Sequence, residues 1–169
     1  MDQTLNMIDP LTKLAIKYGT DRYPQSKHSY TPYYYDLFKN KRKSVKKILE
    51  IGVGEGAGLR MWRYFFPNAV IYGAENDPGR VFTADRIKVI PCDQSSQVNL
   101  ASLVKLTGPD LDIVFDDGSH KPEHQVFTCL TLMPLLNDNV IYIIEDVADL
   151  NIIKNLAKYE IEVPKLIRW

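Results

Sequence analysis

The sequence has few of the features that mark a secreted, fibrous or nucleic-acid-binding chain. Only two of its 169 residues are cysteine. Cys92 and Cys129 are too few and too far apart for a disulfide scaffold or a thiolate metal site, and their apolar neighbours suit core thiols in a reducing compartment. No apolar stretch reaches the ~20 residues needed to span a bilayer, and no secretory signal is present. The expectation is a soluble, cytoplasmic protein. Neither sign of charge is in excess: 21 Lys and Arg balance 21 Asp and Glu. That leaves no global basic field to draw nucleic acid or a membrane surface, and no acidic tail. The basic run at 39–47 suits a helix end and linker better than a phosphate track. Internal repeats and low-complexity segments are also missing. A chain of this length is expected to build a single domain, 1–169, around its own core.

What is present is alternation. Asp9, Pro10 and the apolar spacing of Leu11, Leu14, Ala15 and Tyr18 predict a capped helix that Gly19 stops. A polar loop at 20–29 leads to a second helix, from Thr31 and Pro32 through Leu37 and Phe38 into the basic residues 39–43, whose charge suits a helix C-terminus. Together they form an N-terminal helical cap over 1–43. From 44 to 169 strands and helices alternate, the pattern of a Rossmann-like α/β fold, a doubly wound and mostly parallel sheet with helices on both faces. Strands are expected at 45–51, 69–75, 87–91, 111–115, 140–144 and 161–167. Helices are expected at 57–66, 78–84, 96–106, 122–136 and 150–158. A sheet of this kind ordinarily has one more C-terminal strand closing its far edge, and the expectation is that this strand is missing.

The first strand runs into residues 49–60, L-E-I-G-V-G-E-G-A-G-L-R, where four glycines alternate before a helical pattern opens. Glycine takes positive φ without steric cost and lets backbone amides approach a ligand that a Cβ would hold off. Gly52, Gly54 and Gly56, with Glu50 before them, therefore mark a place for a nucleotide-like molecule. In an open parallel sheet ligands lie outside the carboxyl ends of the strands, and every such end here is acidic. The ends carry Glu50; Glu75 with Asp77; Asp93 with Gln94; Asp116 and Asp117 with His120; and Glu145 with Asp146. Such a rim repels phosphate and suits a cationic ligand, a ribose diol or a metal ion. The pyrophosphate fingerprint is met only loosely, by Gly52-x-Gly54-x-x-Ala57. Asp117 and the Glu145–Asp146 pair fall at adjacent strand ends, where their oxygens could converge. Clustered carboxylates do not all stay ionised unless a cation sits among them, and hard oxygen ligands favour Mg²⁺ or Mn²⁺ over zinc.

The spacing E-x-G-x-G-x-G from Glu50 to Gly56 resembles the first motif of class I S-adenosylmethionine-dependent methyltransferases. The resemblance implies that Glu75 takes the ribose hydroxyls and that Asp93 reads the adenine amino group, with Gln94 beside it at the cofactor; Asp116 either meets the cofactor amine or ends its strand, and the cofactor is the preferred reading. Four further motifs narrow it: Y-G-T-D-R at 18–22, W-R-Y-F-F-P-N-A at 62–69, F-D-D-G-S-H at 115–120 and I-I-E-D-V at 143–147. With these, most of the chain resembles the metal-dependent O-methyltransferases of macrolide sugars, the macrocin and mycinamicin type. That family implies Asp117, Glu145 and Asp146 as ligands of Mg²⁺ and His120 as general base, with Thr20 and Asp21 near the cofactor. The metal would acidify a substrate hydroxyl, the imidazole would take its proton, and the oxygen would attack the methyl in line with sulfur. The sequence departs from the family at Gly58, where serine is common, and at Glu75, where aspartate is usual.

The expected function is thus Mg²⁺-assisted methyl transfer to a hydroxyl of a sugar or other natural product. Three other readings stay open on the residues alone: an adenosylmethionine-binding domain without its own catalysis, an iron enzyme resembling cephalosporin hydroxylase, and, more distantly, an NAD-dependent oxidoreductase. The expected partner is a small hydroxylated molecule; self-association is left open. Tyr30, Tyr33, Tyr34 and Tyr35 are expected in packing, with an aromatic lid as the alternative, and His28 is unassigned.

Overall fold

The local signals at the start of the chain are obeyed in the computed structural model, which describes residues 8–160. Helix α1, Pro10–Tyr18, is capped by Asp9, whose Oδ1 accepts from the Thr12 amide at 2.9 Å, and it ends at Gly19 in the left-handed region. Helix α2, Tyr30–Phe38, has no side-chain cap. Its first amides, of Tyr30 and Thr31, instead donate to the carbonyl of Arg22 at 2.9 and 3.0 Å. A buried hydrogen bond between the Thr12 and Thr31 hydroxyls, 2.6 Å long, ties the two helices together.

The rest is a six-stranded sheet. In chain order come β1 Lys47–Ile51, α3 Ala57–Phe65, β2 Val70–Glu75, β3 Thr83–Ala84, β4 Ile87–Pro91, α4 Gln97–Thr107, β5 Ile113–Asp116, α5 Pro122–Leu132, β6 Ile141–Ile144 and the short α6 Ile152–Asn155. The spatial order is β3-β4-β2-β1-β5-β6, with every pairing parallel except β3 with β4. The chain starts at β1, builds outward on one side, then crosses back to lay β5 on the other flank of β1. That crossing opens a crevice above the carboxyl ends of β1 and β5, where such folds bind ligands.

Two apolar layers sandwich the sheet. Under α1, α2 and α3 lie Leu11, Phe38, Ile48, Trp62, Phe65 and Phe115; under α4 and α5 lie Leu49, Ile51, Leu100, Leu103, Val114 and Leu132. Both cysteines are buried and unpaired. Among the described residues no helix is long and apolar enough to cross a membrane.

Several expected elements are redrawn. Residues 78–84 do not form one helix. Asp77 accepts from the Gly79 amide and closes a 3₁₀ turn, Pro78–Arg80, after which β3 doubles back on β4. The helix expected through 136 stops at Leu132 and tightens into a 3₁₀ turn, Met133–Leu135, because Pro134 has no amide to continue it. The helix expected at 150–158 shrinks to α6, and α2 ends before its basic residues. The strand expected at 161–167 lies outside the described residues.

Candidate active site

Strand parity decides which acidic residues meet. Side chains alternate across a strand, so Glu50, two positions after Ile48, falls on the α1–α3 side of the sheet. Glu145 follows Ile143 onto the same side. Asp116, following Phe115, goes to the other. The chain beyond β5 then brings Asp117 back toward Glu50 and Glu145.

Arg22 stands where these three carboxylates converge. It is 3 % exposed. Its Nε donates to Glu145 at 2.8 and 3.1 Å, its Nη2 donates to Asp117 Oδ2 at 2.5 Å, and both terminal nitrogens lie 3.5 Å from Glu50 Oε1. Burial opposes the charge of the guanidinium, but Glu145, Glu50 and Asp117 outweigh it and raise its pKa further. Around this knot Trp62 Nε1 donates to Glu50 Oε2 at 2.6 Å and the Tyr34 hydroxyl to Glu145 Oε1 at 2.8 Å. Gly58 is a requirement of the same packing. A Cβ there would lie 2.3 Å from Glu50 Oε1 and 2.5 Å from Arg22 Nη1, so any side chain would have to displace this ion pair.

In front of the knot, Asp117, His120 and Asp146 each present a ligand atom, all within 4.8 Å of one another. The two carboxylates among them suit a hard divalent cation, and the imidazole stands beside them. His120 is half exposed, with Nε2 3.9 Å from Asp146 Oδ2. The Tyr30 hydroxyl donates to Asp146 Oδ1 at 2.6 Å, and His28, stacked on Tyr30, places Nδ1 3.4 Å from the same oxygen. Both His120 and Asp146 have left-handed backbones, with φ of 57° and 51°. For residues with a Cβ this costs about 1–2 kcal/mol each, and such strain gathers at functional sites. Asp117 is pushed up to about 8. Burial is the main cause; Arg22 pulls the other way, and Glu145, Glu50 and Asp146 add to the rise. Four carboxylates thus share one guanidinium here, which leaves a place for a further cation.

Glu145, expected among the metal ligands, is set behind that trio, its carboxylate turned to Arg22 and Tyr34. The rim expected to present free negative charge is also largely compensated within the protein. Glu75 Oε2 accepts from the amides of Val53 and Gly54 at 3.0 and 3.2 Å, and Oε1 from those of Asn76 and Asp77 at 2.9 and 3.0 Å. Asp93 bonds Ser95 through amide and hydroxyl and is exposed, outside the cleft lining. Gln94 does line the cleft. Its Oε1 accepts from the Ser119 amide at 2.7 Å and its Nε2 faces Asp116 at 3.3 Å.

Asp116 is 1 % exposed, faces Tyr142 and Gln94, and does not line the cleft. Burial, its largest influence, pushes its pKa up to about 6. Because the folded value exceeds the unfolded one, about 3.9, its contribution to stability is full below about pH 4 and is lost as pH rises through about 6. We therefore expect Asp116→Asn to match the parent at pH 4 and to exceed it by about 3 kcal/mol at pH 8. Urea unfolding at the two pH values checks this; an equal difference at both would contradict it.

The cleft itself has a volume of ≈ 650 Å³ and is lined by the glycine loop, Glu75, Gln94, residues 117–120 and Asp146, with Thr20, Asp21 and Arg22 along one wall. That is a size suited to a nucleoside-like ligand. Gly52, at φ 82°, touches the neighbouring loop so closely that a Cβ would lie 2.2 Å from the Asp117 carbonyl oxygen. Gly54, at φ 53°, has nothing within 4 Å of a would-be Cβ, so a side chain there would stand in the open cleft. Gly54→Ala should cost about 1 kcal/mol of stability and weaken cofactor binding by about tenfold, read by calorimetry. Unchanged affinity would show that the ligand does not lie on this loop.

Arg22, the last residue of Y-G-T-D-R, has no role expected from sequence; Tyr30 is expected in packing or an aromatic lid, and His28 is unassigned. The available signal was the demand of clustered carboxylates for a cation, which the protein meets in part from its own chain.

No family model matches the sequence. It is 35 % identical over 143 residues to the 8-demethyl-8-alpha-L-rhamnosyl tetracenomycin-C 2'-O-methyltransferase of Streptomyces olivaceus, covering 80 % of this chain and 37 % of that one. Identity is also 35 % to the mycinamicin VI 2''-O-methyltransferase of Micromonospora griseorubida, over 80 % of this chain and 35 % of the relative. Among solved structures, the MycE methyltransferase from the mycinamycin biosynthetic pathway, in complex with Mg, SAH and mycinamycin VI, superposes with a TM-score of 0.73 at 34 % identity, covering 83 % of this chain and 40 % of that one. The chain spans little more than a third of the length of the curated relatives it matches.

Proposed function

We propose that the chain, similar over four fifths of its length to O-methyltransferases of rhamnosyl and macrolide sugars, is an S-adenosylmethionine-dependent methyltransferase domain that transfers the methyl of adenosylmethionine to a sugar hydroxyl of a glycosylated small molecule with help from Mg²⁺. The observation that carries this reading is the convergence, in one cleft, of the glycine loop with Asp117, His120 and Asp146.

Asp117 and Asp146 would hold the ion from where they stand, and Glu145 would join them by giving up a bond to Arg22. Hard oxygen ligands suit Mg²⁺ and leave the imidazole of His120 free. When bound, a divalent cation lowers the pKa of a ligated hydroxyl. His120, half exposed at the mouth of the cleft, accepts the hydroxyl proton, and Asp146 beside it stabilises the imidazolium that results. Tyr30 holds Asp146 in place for both tasks. The loop amides at Val53 and Gly54, fixed by Glu75, form the floor on which the cofactor lies, so that nucleophile and methyl are held in line.

The test is calorimetric titration with adenosylmethionine, followed by transfer of labelled methyl to a panel of rhamnosylated and macrolide-sugar acceptors with and without Mg²⁺. Tight binding and Mg²⁺-stimulated transfer are expected. Binding without transfer to any acceptor would leave a cofactor-binding domain, and iron in protein purified without added metal would move the site toward oxygenase chemistry.

A further inference from the structure

We propose that Arg22 is a built-in competitor of the divalent cation, a positioning residue that holds Asp117 and Glu145 while the metal is absent and sets how tightly the metal binds. The inference rests on the metal reading given above. Its geometry is specific. One guanidinium reaches two carboxylates from adjacent strand ends, Glu145 through Nε and Asp117 through Nη2. Its third partner, Glu50, lies on β1, which flanks β5 on the side away from β6.

Arg22 is well fixed for this. Its carbonyl receives the first two amides of α2, which anchors the backbone, and its guanidinium lies 5.8 Å over the Trp62 ring. Gly58 leaves the space that the Arg22–Glu50 contact occupies. A planar fork of donors holds two carboxylates at fixed separation, something a lysine ammonium does not reproduce. The arrangement prevents Asp117 and Glu145 from repelling each other apart, and so keeps the site assembled. It also puts a positive charge in direct contact with the oxygens a dication would take, so metal entry requires loss of an Arg22 bond and brings two cations close together.

The test compares Mn²⁺ affinity of the parent, Arg22→Gln and Arg22→Lys, by calorimetry and by electron paramagnetic resonance of free Mn²⁺, together with thermal midpoints in chelator and in Mn²⁺. Removing the charge while keeping a hydrogen-bonding side chain should tighten Mn²⁺ binding by about tenfold in Arg22→Gln, and by about threefold in Arg22→Lys, which keeps the charge and loses the fork. Arg22→Gln should also be less stable than the parent in chelator and recover more on adding Mn²⁺. A variant that folds only with Mn²⁺ present is the extreme form of the same result.

A purely structural role would lower the midpoint equally with and without metal and would weaken binding. Mn²⁺ affinity equal to or weaker than the parent's in either variant overturns the inference while the metal reading stands. If neither parent nor variants bind Mn²⁺, the metal reading fails and this inference with it.

Discussion

Asp117→Ala is expected to lower Mg²⁺-stimulated methyl transfer by about a thousandfold or more, with adenosylmethionine affinity within about threefold of the parent. The split follows from where Asp117 sits. Its carboxylate belongs to the trio with His120 and Asp146. Its contribution to the cofactor floor is made by the main chain, through the contact of its carbonyl with Gly52, which the substitution leaves in place. Burial pushes this carboxyl up to about 8, so near neutrality an incoming cation would displace its proton. Asp117→Asn separates charge from shape, since it keeps an oxygen for Arg22 and loses the anion. It should lose transfer nearly as completely as alanine. Turnover close to the parent's in either variant, measured at saturating Mg²⁺ with labelled cofactor, would refute the assignment of Asp117 to the metal.

The second large effect concerns folding. Trp62 is fully buried, stacked on Phe115 with ring centroids 4.3 Å apart, and its Nε1 donates to Glu50. Cutting it to alanine empties the centre of the aromatic layer, a loss of about 3–5 kcal/mol for a residue of this size. It also strips a donor from a buried carboxylate, which adds about 1–3 kcal/mol. For an ordinary domain stability of about 5–15 kcal/mol, Trp62→Ala should be close to unfolded at room temperature. Trp62→Phe retains the ring and removes only the donor, and should cost roughly 2 kcal/mol by urea unfolding. A Trp62→Ala protein that unfolds at the parent's midpoint would show that Glu50 and the aromatic layer are independent of each other.

The parts of the fold that local chemistry determines were legible in the residues. Asp9 with Pro10 starts a helix, Gly19 ends it, and the apolar run at 87–91 forms β4 with those bounds. The two-residue strand β3 was not legible, because nothing in Thr83 and Ala84 asks for a strand; only pairing with Ile87 and Lys88 makes one. The site divides in the same way. The glycine loop and the trio of Asp117, His120 and Asp146 stand at neighbouring strand ends, where the topology puts them. Asp116 and Asp117 could have been told apart by the period of two along β5, which sends one to each face. Arg22 was beyond such reasoning. It meets Asp117 and Glu145 across 95 and 123 positions of sequence, and its role exists only once the sheet has brought those positions together.

The left-handed backbones at His120 and Asp146 have an evolutionary reading. A glycine at either position would relax the main chain and, by that term alone, make the protein more robust. Selection for heat resistance would favour such replacements, and each would delete a group from the cleft. Under the proposed function each replacement would trade the proton acceptor or a metal ligand for that relaxation.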